Sequence, residues 1–599
     1  MNDTASIGIV EPQYYTFAEP PDEMELDSGL TFGPITLCYE TYGKLNADKS
    51  NAVLVLHALS GDAHAAGFHH PNDRKPGWWD MMIGPGKGFD TEKYFVISTN
   101  VLGGCRGSTG PASIDPNTGR PYGLNFPIIT IGDMVRAQTH LVEHLGIKTL
   151  MCVAGGSMGG MQALEWFTRY PDRVRSAMVV ASTPVLGAQA IAFDAVGRHS
   201  IQADPNFNDG DYYDGERPAM GLAIARMLGH ITYLSDESMR MKFARKLRHT
   251  DSYVYDFQSE FSVETYLDYQ GEQFVDRFDA NSYMYLTKAI DYFDLAQPYG
   301  SLDNAMARSK GRLMVLSYTS DWLYPPYQSQ QVAAAMMRQK KDVTYCNVQS
   351  DYGHDAFLLE AGVMKKMSSG FLDHVYKPEK VQSEMQVELD SEAELGPVPT
   401  SASSIYEGHR VDYDMIVDLV DEGSRVLDIG CGDGELLHRL VSQKKVEGMG
   451  LELAQGNIIT CVRRGISVVQ ADIDQGLSDL PDQSYEYVIL SMTLQAIKKP
   501  ELVISEMLRV GKRCVISFPN FAYWRVRLKT VMGKAPITRN LPYAWYVSPN
   551  RHVLSVRDFR EFCANRNIRI VQEIPLPGAA ARAWPNLMAD EAVFVIAAR

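Results

Sequence analysis

Short, nearly continuous apolar runs recur through the first two thirds of the chain: NAVLVLHAL, KYFVISTNV, TLMCVAGG, SAMVVAS, GRLMVLSYTS and DVTYCNV. Runs of this kind, rich in Val and Ile, predict strands buried on both faces, and the longer amphipathic stretches between them predict helices. Strand and helix in alternation imply an α/β unit with a mostly parallel sheet. Between about residues 186 and 298 the text turns Tyr- and Met-rich with few β-branched runs, which predicts an inserted helical cap. The alternation resumes beyond residue 405 with SRVLDIG, VEGMGLEL, ISVVQAD, YEYVILS and RCVISFP, a second and independent α/β sheet. Between the two, KPEKVQSEMQVELDSEAELGPVPTSASS carries Pro, Ser and Glu without apolar periodicity and reads as a linker. The expected organisation is therefore 1–376, a linker over 377–404, and 405–599.

Composition narrows the function classes. A chain of 599 residues exceeds one hydrophobic core, and 45% apolar with 22% charged residues is the balance of folded globular proteins. Acids outnumber bases by 73 to 57, a net charge of -16 that repels phosphate backbones and argues against nucleic acid as a partner. The basic, aromatic segment from Tyr523 to Lys529 is read as a partner-facing or solvated helix. The first residues lack the basic and apolar regions of a secretion signal, and no apolar run reaches membrane-span length, so a cytoplasmic protein without membrane contact is expected. Eight scattered cysteines without a CxxC pair are expected to be reduced and mostly buried.

The strand TLMCVA runs into Gly155-Gly156-Ser157-Met158-Gly159-Gly160 and then a helical pattern. This is the strand, tight turn and helix of a G-x-S-x-G elbow, in which small residues let strand and helix approach while the serine stands clear of the sheet. A glycine-rich turn with an idle serine has the same text. The partners argue otherwise, because an acid (Asp321, at the end of GRLMVLSYTS) and a histidine (His354, after the last strand) follow in the order this architecture uses. His354 would take the Ser157 proton, Asp321 would orient His354, and the backbone N–H groups of Met158 and Leu59 would receive the oxyanion. His57, His64, His69 and His70 show no closed ligand spacing, and no metal is expected. Cys105 has no paired base in the sequence.

At this density the motifs resemble a family. HALSGDAHAAG, NVLGGCRGSTGP, GGSMGGMQALEW, ARMLGHITYLSD and GHDAFL, in that order over about residues 10 to 375, closely resemble the homoserine O-acetyltransferases of methionine biosynthesis, which have the α/β-hydrolase fold. The likeness implies Ser157, Asp321 and His354 as the triad, Arg226 as a substrate-binding residue, and Asp355 as the partner of the homoserine amino group. It also implies a donor. Family members that use succinyl-CoA resemble one another in an Arg two residues after the triad acid, and here that position is Leu323. Acetyl-CoA is the expected co-substrate, with succinyl transfer or simple ester hydrolysis as the alternatives, and a homodimer is the expected assembly.

In the second part, Val426-Leu427-Asp428-Ile429-Gly430-Cys431-Gly432-Asp433-Gly434 ends a strand and opens a helix, a turn that lets a ligand approach backbone N–H groups. Glu452 closes the next strand, where an acid can bind ribose hydroxyls, and Asp472 follows the third. The set resembles the S-adenosylmethionine site of class I methyltransferases, with Asp428, Gly430 and Gly432 near the methionine part, Glu452 at the ribose and Asp472 at the adenine. An empty Rossmann-like fold is the competing reading. DIGCGDGELL and LPYAWYVSPNRHVLSVRDF resemble the methionine biosynthesis protein MetW over about residues 406 to 575. That resemblance implies a methyltransferase-like accessory or regulatory module with no evident methyl acceptor.

Overall fold

A computed structural model describes residues 6–248, 252–376 and 410–599. The expected linker over 377–404 lies outside the described residues. Two compact units emerge, residues 1–335 with 347–376, and residues 336–346 with 377–599.

The first unit is built on β1 (Gln13–Phe17), β2 (Ile35–Tyr42), β3 (Ala52–Leu56), β4 (Phe95–Thr99), β5 (Cys152–Gly156), β6 (Ser176–Val180) and β7 (Arg312–Tyr318). They lie in the order β1-β2-β4-β3-β5-β6-β7. From β4 to β7 every pairing is parallel, and β3, β5 and β6 are buried at every position, which is why they read as continuous apolar runs. The antiparallel pair β1 and β2 escapes that pattern. β1 keeps polar residues on an exposed face, so its text lacks a continuous apolar run. Helices α1 (Ile131–His144) and α2 (Met158–Arg169) flank the crossovers. Between residues 186 and 298 the described residues carry α3 (Ala188–Gln202), α4 (Ala219–Tyr233), α5 (Asp236–Lys242), α6 (Ser262–Val275) and α7 (Ala280–Asp291).

The second unit carries β8 (Arg425–Ile429), β9 (Glu447–Glu452), β10 (Ser467–Gln470), β11 (Tyr485–Ser491), β12 (Gly511–Pro519), β13 (Arg569–Leu576) and β14 (Glu591–Ala597). Their order is β10-β9-β8-β11-β12-β14-β13, parallel as far as β12 and antiparallel at β14 and β13. The chain direction across the sheet reverses between β8 and β11, and a crevice forms beyond the carboxyl ends of strands at such a switch point. The terminal antiparallel pair was not evident in the sequence pattern. Among the described residues no helix is long and apolar enough to cross a membrane.

Candidate active site

Ser157 sits between β5 and α2 with φ 59° and ψ -124°, a conformation that L-residues adopt only under constraint. The constraint is visible. Its N–H donates to Val180 O at 3.0 Å, and its carbonyl accepts from Ser182 Oγ at 2.8 Å. A methyl group on Gly159 would lie 2.0 Å from Leu56 O, and one on Gly155 would lie 2.4 Å from Gly159 C, so neither position admits a side chain. Strand and helix are thereby pressed together and the serine is driven out of the sheet.

The three residues of the expected triad meet. His354 Nε2 lies 2.9 Å from Ser157 Oγ, and His354 Nδ1 lies 2.8 Å from Asp321 Oδ2. The other carboxylate oxygen of Asp321 accepts the N–H groups of Leu323 (3.1 Å) and Tyr324 (2.9 Å), which fixes the acid on its proline-turn loop. All three side chains are buried. Burial alone would lower the His354 pKa, but the charge and hydrogen bond of Asp321, helped by Asp355, outweigh it and raise it above the ordinary imidazole value. An imidazole so poised accepts a hydroxyl proton readily.

A cavity of about 40 Å3 opens on Ser157 and is lined by Leu59, Leu323 and Tyr324 together with Asp194, Phe193 and Tyr233. Arg226 does not line it. Its guanidinium stands in an adjoining cavity, 3.4 Å from Ser60 Oγ and over the ring of Phe274 at 4.7 Å. Asp355 lines neither cavity. It follows His354 directly, and burial raises its pKa against the lowering charges of His354 and Arg226. Asp194, on α3, was not evident in the sequence. Burial, then the charge of Asp291, pushes its carboxyl up to about 8.

Two of the four early histidines cluster, around a residue the sequence did not single out. Glu40 on β2 meets His69 Nε2 at 2.7 Å and His64 Nδ1 at 3.0 Å, and Tyr42 donates its hydroxyl to the same carboxylate at 2.7 Å. Such a set can hold a metal ion, yet its members already satisfy one another. His57 is elsewhere, its Nε2 accepting from Val101 N at 3.2 Å. Burial pushes the Cys105 thiol up to about 11, which removes it as a nucleophile near neutrality.

In the second unit a cavity of about 480 Å3 occupies the switch-point crevice, and Asp428, Gly430, Glu452 and Asp472 line it with Arg410 and Thr493. Gly430, Gly432 and Gly434 all have positive φ, the turn that leads into the helix Glu435–Lys444. Gly432 does not line the cavity. Its N–H instead donates to Glu452 Oε2 at 2.8 Å, while Glu452 Oε1 accepts from Leu453 N and Ala454 N. Asp428 Oδ1 is buried without a hydrogen-bond partner, and burial pushes the acid up to about 7. An orphaned buried carboxylate oxygen at a ligand-sized cavity fits a cationic amino group, as S-adenosylmethionine carries.

Residues 51–361 match the alpha/beta hydrolase fold family, and residues 410–596 match the methionine biosynthesis protein MetW. The bifunctional methionine biosynthesis protein MetXA/MetW of Rhodopirellula baltica is 42% identical over 94% of this chain and 88% of its own. The chain belongs to the bifunctional MetXA/MetW family. Over 61% of its length the chain is 57% identical to the homoserine O-acetyltransferase of Solidesulfovibrio magneticus, covering 94% of that relative. The crystal structure of homoserine O-acetyltransferase from Bacillus anthracis superposes on 61% of this chain and 98% of its own, at TM-score 0.58 and 30% identity. The residues that match the alpha/beta hydrolase fold family, 51–361, include Ser157, Asp321 and His354. Glu40 and Asp194 escaped the sequence reading because no motif marks them and their neighbours lie on other elements.

Proposed function

We propose that the first unit transfers an acetyl group from acetyl-CoA to the hydroxyl of L-homoserine, giving O-acetyl-L-homoserine and CoA in methionine biosynthesis. The observation that carries this reading is the hydrogen-bonded chain Ser157–His354–Asp321, at 2.9 and 2.8 Å, in a protein whose relatives are homoserine O-acetyltransferases. His354 takes the proton of Ser157 as its oxygen attacks the thioester carbonyl. The N–H groups of Met158 and Leu59 stabilise the tetrahedral oxyanion, and collapse expels CoA, which leaves with the proton from His354. Homoserine then binds with its carboxylate on Arg226 and its ammonium on Asp355. Its hydroxyl gives a proton to His354 and attacks the acyl-enzyme carbonyl, and as the bond to Ser157 Oγ breaks His354 returns the proton to that oxygen, which restores Ser157 and the neutral imidazole.

Product identification tests the reading. Acetyl-CoA and homoserine should yield O-acetyl-L-homoserine by mass spectrometry. CoA release at the same rate with and without homoserine would instead make the protein an esterase. The pH profile follows from His354, which must be neutral to act as base. Its raised pKa places the acid limb of kcat/KM above about 6.5. Asp321→Asn removes the charge that raises it, so the limb should move to lower pH while the plateau falls by roughly 10³–10⁴.

For residues 405–599 we propose an S-adenosylmethionine-binding accessory module, joined through 377–404 to the catalytic part over 1–376. Asp428 would take the ammonium group, Gly430 and Gly432 would shape the turn near the methionine part, and Glu452 and Asp472 would face the ribose and adenine. S-adenosylmethionine supplies an activated methyl group when bound. Three backbone N–H groups hold Glu452 in place, and the rest of its acceptor capacity serves the ribose. Calorimetry on the full chain should record S-adenosylmethionine binding that Asp428→Asn weakens at least tenfold, the loss of one charge-assisted contact of about 1.5–3 kcal/mol. Unchanged affinity would remove Asp428 from the site. A cytoplasmic homodimer completes the proposal.

A further inference from the structure

One cavity of the first unit reverses the charge of the chain around it. It measures about 780 Å3, and its walls carry Arg74, Lys75, Arg106, Arg226 and Arg277 against Asp62 and Asp73. The whole chain is acidic, at -16, so this concentration of cations is local. Arg226 and Arg277 both stand on the ring of Phe274, at 4.7 and 5.3 Å from its centroid. Both also reach Ser60, Arg277 Nη1 donating to its carbonyl at 3.0 Å and Arg226 Nη1 to its hydroxyl at 3.4 Å. Among the described residues neither forms an ion pair with a carboxylate, and Asp62, the carboxylate whose charge acts on Arg277, is itself approached by Arg106 at 3.8 Å. Burial, and then the Arg226 charge, push Arg277 down to about 10. Two crowded, half-buried guanidinium groups without a counter-charge destabilise the protein unless an anionic ligand completes the site.

We propose that this cavity is the subsite for the phosphate-bearing tail of the acyl donor, in which Arg277, Arg106 and the exposed rim pair Arg74 and Lys75 bind the phosphates of coenzyme A. The inference rests on the acetyl-CoA reading above and adds residues that reading does not use. Position supports it. Ser60 lines this cavity and the preceding residue, Leu59, lines the cavity of Ser157, so the two spaces adjoin along one loop. Coenzyme A carries its thioester at one end of a flexible pantetheine arm and its diphosphate and 3′-phosphate at the other. The charged end would stay among the rim cations while the thioester goes inward to Ser157. A planar guanidinium meets phosphate oxygens with two parallel hydrogen bonds, which suits the arginines here, and an exposed lysine adds a point charge. Arg226 keeps its role at the acceptor carboxylate.

The test compares acetyl-CoA with S-acetylpantetheine, which has the same thioester and arm and no phosphate, at saturating homoserine. Full-length wild type, Arg277→Met and the rim double variant Arg74→Met/Lys75→Met are each assayed with both donors. Wild type should favour acetyl-CoA in kcat/KM, and each variant should lose about tenfold more on acetyl-CoA than on S-acetylpantetheine, mainly through KM. The exposed rim pair gives the same readout should Arg277→Met fail to fold. Equal use of the two donors by wild type, or proportional losses on both donors in the variants, would overturn the subsite. Absence of O-acetylhomoserine with either donor in wild type would refute the acetyltransferase reading itself, and the subsite with it.

Discussion

Ser157→Ala will abolish turnover and, with it, the covalent acetyl adduct that intact-protein mass spectrometry should detect on wild type treated with acetyl-CoA alone. The expected loss is roughly 10⁴–10⁶ in kcat, because the variant keeps the oxyanion donors and the binding cavities but has no acyl carrier. The adduct is the sharper measurement, since it separates the first half-reaction from the second. An adduct that persists on the variant would move the nucleophile elsewhere. Cys105 is a poor substitute, its thiol pushed up to about 11. His354→Ala should lose both half-reactions, because the same imidazole receives the serine proton and later the homoserine proton. A loss confined to deacylation would contradict the contact at 2.9 Å between Nε2 and Ser157 Oγ.

Leu323→Arg is expected to shift donor preference toward succinyl-CoA by about a hundredfold. Leu323 lines the small cavity on Ser157, and no cation lines it there. A succinyl carboxylate would enter that space unpaired, at a cost of several kcal/mol. It would also approach Asp194, whose carboxyl is already pushed up to about 8 by burial and by Asp291, the mark of a site short of positive charge. An arginine at 323 would reverse that shortage and pair with either carboxylate. Competition assays with both thioesters and homoserine, reading O-acetyl- against O-succinyl-homoserine, measure the shift. A wild type with higher kcat/KM for succinyl-CoA would end the argument.

Several features of this protein were legible in its sequence because they depend on local chemistry. Buried parallel strands demand continuous apolar runs, so β3 to β8 announced themselves, and the elbow announced itself because only glycine survives at 155 and 159, where a methyl group would meet backbone atoms at 2.4 and 2.0 Å. The order serine, acid, histidine followed from strand ends whose positions the apolar pattern had already marked. The glycine turn after Leu427 was readable for the same reason.

The tertiary structure alone decided what depends on residues far apart in the chain. β1 has exposed polar positions and β2 carries Thr36, Glu40 and Thr41 among buried neighbours, so neither shows a continuous apolar run and pattern could not register the pair. Glu40 meets His64 and His69 only through folding that brings β2 to residues 24 and 29 positions further along the chain, and Arg226 and Arg277, on different stretches of the cap, become neighbours through the ring of Phe274. Asp194 reaches the nucleophile's cavity from α3 by the same kind of convergence. Charge–charge distances and burial set the chemistry of all these groups, and both are properties of the packed chain that no local pattern encodes.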